Sequence, residues 1–403
     1  MSEENNINVL NATKSSENGT DTKKTALPRY YGNMEEKLSL DDALEQYESL
    51  IFKDTISPRK SIKEYKNELS INTISEVSDI IFKSSLNIKD GELGIIGLLA
   101  LSPNNVSHLP PTEKDGIIGL SILSNALSNL GLTVVILTDS INQPIISDIL
   151  SNENYFKNYV NINQEIGFPP KNLLFEKGKI YVVGVVPQPG IDSEWEEFLN
   201  NTHNQFSMLI SMGRPSKDED TGIYKNVRGL RMNHYCSDLE EMFINTIKKN
   251  DIPTIALSDS YENQLGIYSK NDKRNKHNAK YILLSHKNDW VCYFLTASIA
   301  LRLSNKLKNS NSNFGDSDNS TEKGSDTINN INKKVLLELY LSIFPNEEVF
   351  IYLNDKVKEL QVWDTLFGEG LIKGFTLEND WEIRMKIRRI ANQFGIPVDY
   401  NNV

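Results

Sequence analysis

The sequence contains few of the residues that mark disulfide frameworks, metal clusters or nucleotide loops. It has only two cysteines, Cys236 and Cys292, which fits a reducing compartment and predicts two small buried side chains. No two of its five histidines have the spacing of a metal-ligand pair on a helix. Neither Gly-x-Gly-x-x-Gly nor Gly-Lys-Ser/Thr occurs, so the common dinucleotide and triphosphate loops are not predicted.

Charge and hydropathy narrow the classes of partner. The net charge is −11 and no basic stripe with interleaved aromatic residues occurs, which argues against nucleic acid. No apolar run approaches the ~18 residues of a membrane-spanning helix. The acidic start of the chain resembles neither a secretory signal nor a transit peptide. We therefore expect a cytoplasmic protein that binds a small molecule, while the oligomeric state stays open.

Composition divides the chain into an α/β domain and two polar segments. Residues 1–30 are rich in Asn, Ser, Thr and Lys, with little apolar content, which predicts a disordered tail. Residues 305–332 have a similar low-complexity composition and are predicted to be a surface insertion without fixed structure. Residues 31–403 are expected to form one α/β domain, which contains this insertion.

Continuous apolar runs alternate with amphipathic segments along this domain. The runs predict buried strands at 93–101, 132–139, 179–186, 206–210, 254–257 and 281–284. Helical patterns occur at 39–51, 73–84, from Ile117 onward, and at 238–249, 333–344 and 376–394. We therefore predict a largely parallel or mixed sheet flanked by helices, with helical N- and C-terminal segments. The basic residues of the last helix are expected to form a solvated face: Arg384, Lys386, Arg388 and Arg389.

The most informative segment is Pro110-Pro-Thr-Glu-Lys-Asp-Gly116, which leads directly into a helix. It presents Glu113 and Asp115 beside a glycine, between a predicted strand and a predicted helix. Open α/β sheets build ligand sites at such positions. The alternative is a helix cap, in which Thr112 or Asp115 only satisfies the first amides of the helix that follows.

Several further motifs occur in a fixed order along the chain. They are Gly213-Arg214, Gly222-Ile-Tyr-Lys-Asn-Val-Arg-Gly229, Asn263-Gln-Leu-Gly266, Asn288-Asp-Trp290 and Pro345-Asn-Glu-Glu348. Together with the acidic segment they resemble the D-glutamate cyclase family. In that family the corresponding stretches read Pro-Pro-x-Glu-Thr-Asp-Gly, Gly-Arg, Gly-x-Tyr-x-Asn, Asp-Gly-Gly-Asn-Glu-Ile-Gly and Ser/Thr-Asn-Trp-Gly. The resemblance extends from about residue 40 to about residue 394.

The resemblance implies a hydro-lyase that interconverts D-glutamate and 5-oxo-D-proline with loss of water, or that acts on a related small amino or oxo acid. This chemistry needs a carboxylate base, stabilisation of an oxyanion and a cation for a substrate carboxylate. The catalytic candidates are Glu113, Asp115, Asp259 and Asn263. The candidates for substrate binding are Arg214, Tyr224, Asn226, Arg228 and Trp290. Glu113 and Asp115 are also candidate ligands for a divalent cation.

Three of these assignments have a structural alternative. Each arginine is equally explained by an ion pair within the protein. For Trp290, core packing is favoured over a role as a pocket wall.

The chain departs from the family pattern at several positions. Gln264 stands where the pattern has an acid, and glutamine cannot titrate. Ser260 and Tyr261 replace two glycines, Ser211 replaces an arginine, and Lys373 replaces an aspartate. These changes favour a second hypothesis, a catalytically inactive member that binds a small acid or a protein partner.

Overall fold

A computed structural model describes most of the chain. The described residues are 38–51, 69–187, 190–226, 228–249, 251–259, 264–312, 322–364 and 375–398. The predicted tail at 1–30 lies outside them, as do Ser260, Tyr261, Asn263 and Lys373.

Six strands of the described residues form one parallel sheet, as the apolar runs predicted. They are β1 (Ile95–Ala100), β2 (Thr133–Asp139), β3 (Ile180–Val185), β4 (Phe206–Met212), β5 (Thr254–Ser258) and β6 (Tyr281–Leu284). Their order is β3-β2-β1-β4-β5-β6, and every neighbouring pair is parallel. The strands are almost entirely buried, because helices cover both faces of such a sheet.

The helices confirm the α/β prediction, including the helical segments near both ends of the described chain. They are α1 (Leu40–Ile51), α2 (Ile74–Leu86), α3 (Ile117–Asn129), α4 (Gln143–Leu150), α5 (Ser193–His203), α6 (Glu240–Lys249), α7 (Asn288–Ser312), α8 (Glu322–Ile343), α9 (Glu347–Glu359) and α10 (Leu377–Gln393). Helix α7 packs against α1, α2, α3 and α8. Within the described ranges, no helix has the length and apolar character needed to cross a membrane.

The low-complexity segment 305–332 is more helical than its composition predicted. Helix α7 continues to Ser312 and α8 begins at Glu322, so these parts of the segment are helical, while the surface insertion itself stays a prediction. Tertiary contacts explain the difference at the α7 end. The ammonium of Lys308 donates to the carbonyl of Phe394 at 2.6 Å and lies 4.1 Å from the centre of its ring. Residues 313–321 lie outside the described ranges.

The basic residues of α10 do not all face solvent. Arg384 and Arg388 are buried and both pair with Glu347, at 2.9 Å and 2.8 Å, so the predicted solvated face is wrong for these two. A buried acid on the neighbouring helix α9 draws them inward. Arg389 is exposed, as expected.

The order of the strands determines where a ligand site can form. The chain leaves β1 toward β2 and β3 on one side, and later returns to β4, β5 and β6 on the other. The connections after β1 and β4 therefore diverge, which opens a crevice at the carboxyl ends of these two strands. The backbone N–H of Leu101 donates to the carbonyl of Met212 at 3.0 Å, which closes the sheet just below this crevice.

Candidate active site at the carboxyl ends of the strands

The acidic segment after β1 folds back onto the end of that strand. The backbone N–H of Glu113 donates to the carbonyl of Ser102 at 3.4 Å. The side-chain amide of Asn104 donates to the carboxylate of Glu113, which is buried. Glu113 is therefore presented at the crevice with its carboxylate oriented by a neighbouring amide.

Asp115 caps a helix, but not the helix that it precedes. Its carboxylate accepts from the backbone N–H groups of Asn288 and Asp289, at 3.0 Å and 3.4 Å, at the start of α7. Asp289 in turn accepts from the backbone N–H groups of Gly116 and Gly119, at 3.1 Å and 2.7 Å, at the start of α3. The two helices thus exchange their caps.

The predicted cap of α3 by its own residues is therefore wrong. Gly116 is the residue before the helix, with φ of 103°, and no side chain of its own caps it. Thr112 instead donates its hydroxyl to the side-chain carbonyl of Asn142 at 2.6 Å. Asp289 reaches the orphan amides from α7, which crosses close to α3 at Gly119.

Asp259, at the end of β5, joins Asp115 through a single amide. The side chain of Asn288 donates to Asp115 at 3.0 Å and to Asp259 at 3.4 Å. The fold therefore brings together the candidate acids Asp115 and Asp259 from two distant parts of the sequence. Asn263, the fourth catalytic candidate, lies outside the described residues. Gln264 is described, and its side-chain carbonyl is buried without a hydrogen-bond partner.

Arg214 holds a carboxylate of the protein. Its guanidinium pairs with Asp139 at 2.6 Å and 2.8 Å and also donates to the carbonyls of Leu101 and Ser237, at 3.1 Å and 2.6 Å. Burial opposes its charge, but Asp139 outweighs this and raises the pKa of Arg214 above its ordinary value. The structure therefore favours the ion-pair alternative over a substrate clamp.

Three further substrate-binding candidates lie on the loop after Arg214. Tyr224 is buried and donates its hydroxyl to Asp238 at 3.0 Å. Asn226 donates its amide to the carbonyl of Asn104 at 2.9 Å, which ties this loop to the segment carrying Glu113. Arg228 is exposed on the same loop. Tyr224 and Asn226 thus shape the site rather than presenting free polar atoms to it.

Trp290 is a core residue at the start of α7. It is 2% exposed, its ring centre lies 4.7 Å from that of Phe375, and its indole N–H donates to Asp380 at 2.8 Å. Asp380 also pairs with Lys287 at 2.9 Å. Core packing, the alternative stated for Trp290, is what the structure favours.

Asp289 lies among other buried charges. Burial raises the pKa of Asp289 to about 6, with the nearby Lys287 opposing the rise. Burial also opposes the charge of Lys287, but Asp380 and Asp289 outweigh it and raise the pKa of this lysine. One oxygen of Asp289 is buried without a hydrogen-bond partner.

Sequence reasoning missed Lys114, which lies between Glu113 and Asp115 and is 7% exposed. Burial, and then the charge of Lys287, lowers the pKa of Lys114. The available signal was that lysine occupies the threonine position of the family pattern. The structure also bears on the divalent cation: no three acidic, His or Cys side chains of the described residues are grouped so as to hold a metal ion.

The fold and site define an open, doubly wound α/β protein with an acid-rich crevice at the reversal of its strand order. Residues 102–384 match the family described as D-glutamate cyclase-like, C-terminal, and this match covers more than half of the chain. The chain belongs to this family, as its motifs indicated. No curated protein matches it.

Proposed function

We propose that this protein is a hydro-lyase that interconverts D-glutamate and 5-oxo-D-proline, or that acts on a related small amino or oxo acid. The observation that carries the proposal is the pair of buried acids Asp115 and Asp259 at the strand ends, joined by the side-chain amide of Asn288, with the buried Glu113 two residues before Asp115. Family membership supports the same class of reaction.

The cyclisation joins the amine nitrogen of D-glutamate to its γ-carboxyl carbon. One amine hydrogen and the departing hydroxyl leave together as water. A carboxylate that first accepts and then returns a proton fits this requirement. Glu113 is the proposed base, because its buried carboxylate is oriented by Asn104. Asp115 is committed to the amides of α7, so its proposed role is to position Asn288 beside Asp259.

Proton NMR of the purified protein with D-glutamate, and separately with 5-oxo-D-proline, tests the proposal directly. Each reaction is followed with and without magnesium or manganese. Interconversion is the expected result, and its absence for both compounds under all conditions would contradict the assignment to this reaction.

The base assignment is tested by Glu113→Gln. General base catalysis contributes about 10²–10⁴-fold, so the rate should fall by that factor with little change in melting temperature. Glu165→Gln, on an exposed loop, is the control and should keep the wild-type rate. A Glu113→Gln variant that retains full activity would exclude Glu113 as the base.

The second candidate function is a catalytically inactive member that binds a small acid or a protein partner. It is favoured by Gln264, which cannot titrate, and by Arg214 and Trp290, which are committed to contacts inside the protein. For a small acid, this function predicts that D-glutamate or 5-oxo-D-proline raises the melting temperature while no product forms. A measurable rate with either compound would contradict it.

A further inference from the structure

One buried cation at the strand ends holds no carboxylate of the protein. Among the described residues, the ammonium of Lys114 makes no hydrogen bond and no ion pair, although the side chain is 7% exposed. Every other buried lysine or arginine of this part of the chain is paired with an acid. These are Arg214, Lys287, Arg384 and Arg388.

The position of Lys114 is fixed by its backbone. Its N–H donates to the carbonyl of Trp363 at 3.1 Å, while the preceding residue, Glu113, bonds to the carbonyl of Ser102. The lysine is therefore held beside the proposed base, at the carboxyl end of β1. This is the crevice in which doubly wound sheets bind ligands.

Among the described residues, the charges around Lys114 do not include a carboxylate that pairs with it. Burial disfavours its ammonium, and the positive charge of Lys287 adds to this effect. Three acids act on it over a distance without pairing with it: Asp289, Asp380 and Asp364. A buried ammonium with no carboxylate is costly, so an anion that enters the site would gain a strong charge-assisted contact.

We propose that Lys114 binds a carboxylate of the small acid that occupies this site. The proposal rests on the proposed function for the identity of that acid. It also supplies the cation that the chemistry requires, since Arg214 already holds Asp139. Lys114 is the specificity residue that selects an acid over its uncharged analogue.

A matched pair of ligands isolates the carboxylate. 5-Oxo-D-proline carries one carboxylate on its ring, and 2-pyrrolidone has the same ring without it. Calorimetric titration should show that Lys114→Met weakens binding of 5-oxo-D-proline roughly tenfold to a hundredfold, the range of a hydrogen bond to a charged group. Binding of 2-pyrrolidone should be equally weak in wild type and variant. Equal affinity of wild type and Lys114→Met for 5-oxo-D-proline would overturn the proposal.

Two further variants separate binding from folding. Lys114→Met should melt no lower than the wild type, because it removes a buried charge that has no partner. A marked loss of stability would instead indicate a structural role and overturn the proposal. Lys356→Met removes a lysine of the outer helix α9 that pairs with Asp148 on α4 and with Glu359 on α9, and it should leave ligand affinity unchanged.

The pH dependence of binding provides an independent readout. The affinity of the wild type for 5-oxo-D-proline should fall as the pH rises through the lowered pKa of Lys114, below the ordinary value of 10.5. Lys114→Arg keeps its charge throughout this range, so its affinity should not fall. The charged groups that act on Lys114 are unchanged in this variant: Lys287, Asp289, Asp364 and Asp380. Its chain neighbours Glu113 and Asp115 are also unchanged. The same fall in both proteins would overturn the assignment.

Equilibrium binding also distinguishes this proposal from the proposed reaction. If 5-oxo-D-proline binds through Lys114 while NMR detects no turnover, the reaction is wrong and the carboxylate site stands. If turnover occurs and Lys114→Met changes neither KM nor affinity, the reaction stands and the carboxylate site is wrong. No binding of 5-oxo-D-proline to the wild type at millimolar concentration would also overturn the carboxylate site.

Discussion

Among single residues, the pair of Arg214 and Asp139 has the clearest energetic consequence. Both side chains are almost completely buried, and the two guanidinium–carboxylate contacts connect β2 to the segment after β4. Asp139 also accepts from the backbone N–H and the hydroxyl of Ser237, at 2.6 Å and 2.8 Å. One carboxylate thus anchors three parts of the chain beneath the proposed site.

Removing one member of this pair should be strongly destabilising. Arg214→Met leaves Asp139 as a buried charge without its cation, and we expect a loss of about 3–5 kcal/mol in the free energy of unfolding. Urea denaturation measures this loss. The control is Lys386→Met, which breaks a surface pair with Glu382 and should cost at most about 1 kcal/mol. Similar effects of the two substitutions would contradict the structural role of Arg214.

The elements that carry the candidate acids could be predicted from the sequence, whereas the partners of the candidate cations could not. Each candidate acid follows a buried strand or precedes a helix: Glu113, Asp115 and Asp259. Such elements can be predicted from the sequence without tertiary information. Whether an arginine or lysine is free depends on which acid the fold brings beside it. Arg214 therefore could not be distinguished from a substrate clamp, and Lys114 could not be recognised as unpaired.

At the scale of elements, the exchange of caps between α3 and α7 organises the site. Asp115 precedes α3 but caps α7, while Asp289 begins α7 but caps α3. The helices approach closely because Gly119 lies at their crossing. A Cβ atom at Gly119 would lie 2.8 Å from the backbone of Asp289.

Gly119→Ala should push the two helices apart. Overpacking of this kind costs about 1–3 kcal/mol, even though alanine is the better helix former. Thermal and urea unfolding measure the loss. Asn125→Ala, on a partly exposed position of the same helix, is the control and should be neutral or slightly stabilising. A stabilising Gly119→Ala would show that the crossing is looser than described.

The contribution of Asp289 to the free energy of unfolding should decrease as the pH rises. Its pKa is raised by burial from 3.8 to about 6, so the folded state binds more protons than the unfolded state between these values. Stability contributed by Asp289 is therefore present below about pH 4 and is lost as the pH approaches 6. Between about pH 4 and 6, the free energy of unfolding of the wild type should fall relative to that of Asp289→Asn. Above this window the difference between the two proteins should stay constant.

Urea denaturation at several pH values measures this difference. Asp42→Asn is the control, because the hydroxyl of Ser39 lowers the pKa of the Asp42 carboxyl and gives the opposite sign. The difference in free energy of unfolding between Asp42→Asn and the wild type should not decrease between about pH 4 and 6. A constant difference for Asp289→Asn would contradict the raised pKa.

For the whole molecule, the sheet extends beyond the residues that match the family. The match begins at residue 102, whereas β1 ends at Ala100 and pairs with both β2 and β4. Helices α1 and α2 also precede the match and pack on α7. The matched residues therefore lack one of the two central strands of the sheet.

A fragment of residues 102–384 should fail to fold cooperatively. It lacks β1, and it ends inside α10, before the buried Ile387 and Arg388. A chain of residues 31–403, which lacks only the predicted tail, should unfold at the wild-type temperature. Near-ultraviolet circular dichroism and thermal melting compare the two. A sharp transition in the fragment would show that β1 is dispensable.

The sequence by itself determined the elements of this protein and its family. Apolar runs and helical periodicity depend only on neighbours in the chain, so all six strands of the described sheet and the acidic segment after β1 could be predicted. Tertiary structure alone decided the partners of the charges. Asp115 caps a helix that begins 173 residues later, and Arg384 turns inward to Glu347. Ion pairs and caps form between groups that are close in space, and chain spacing does not encode that proximity.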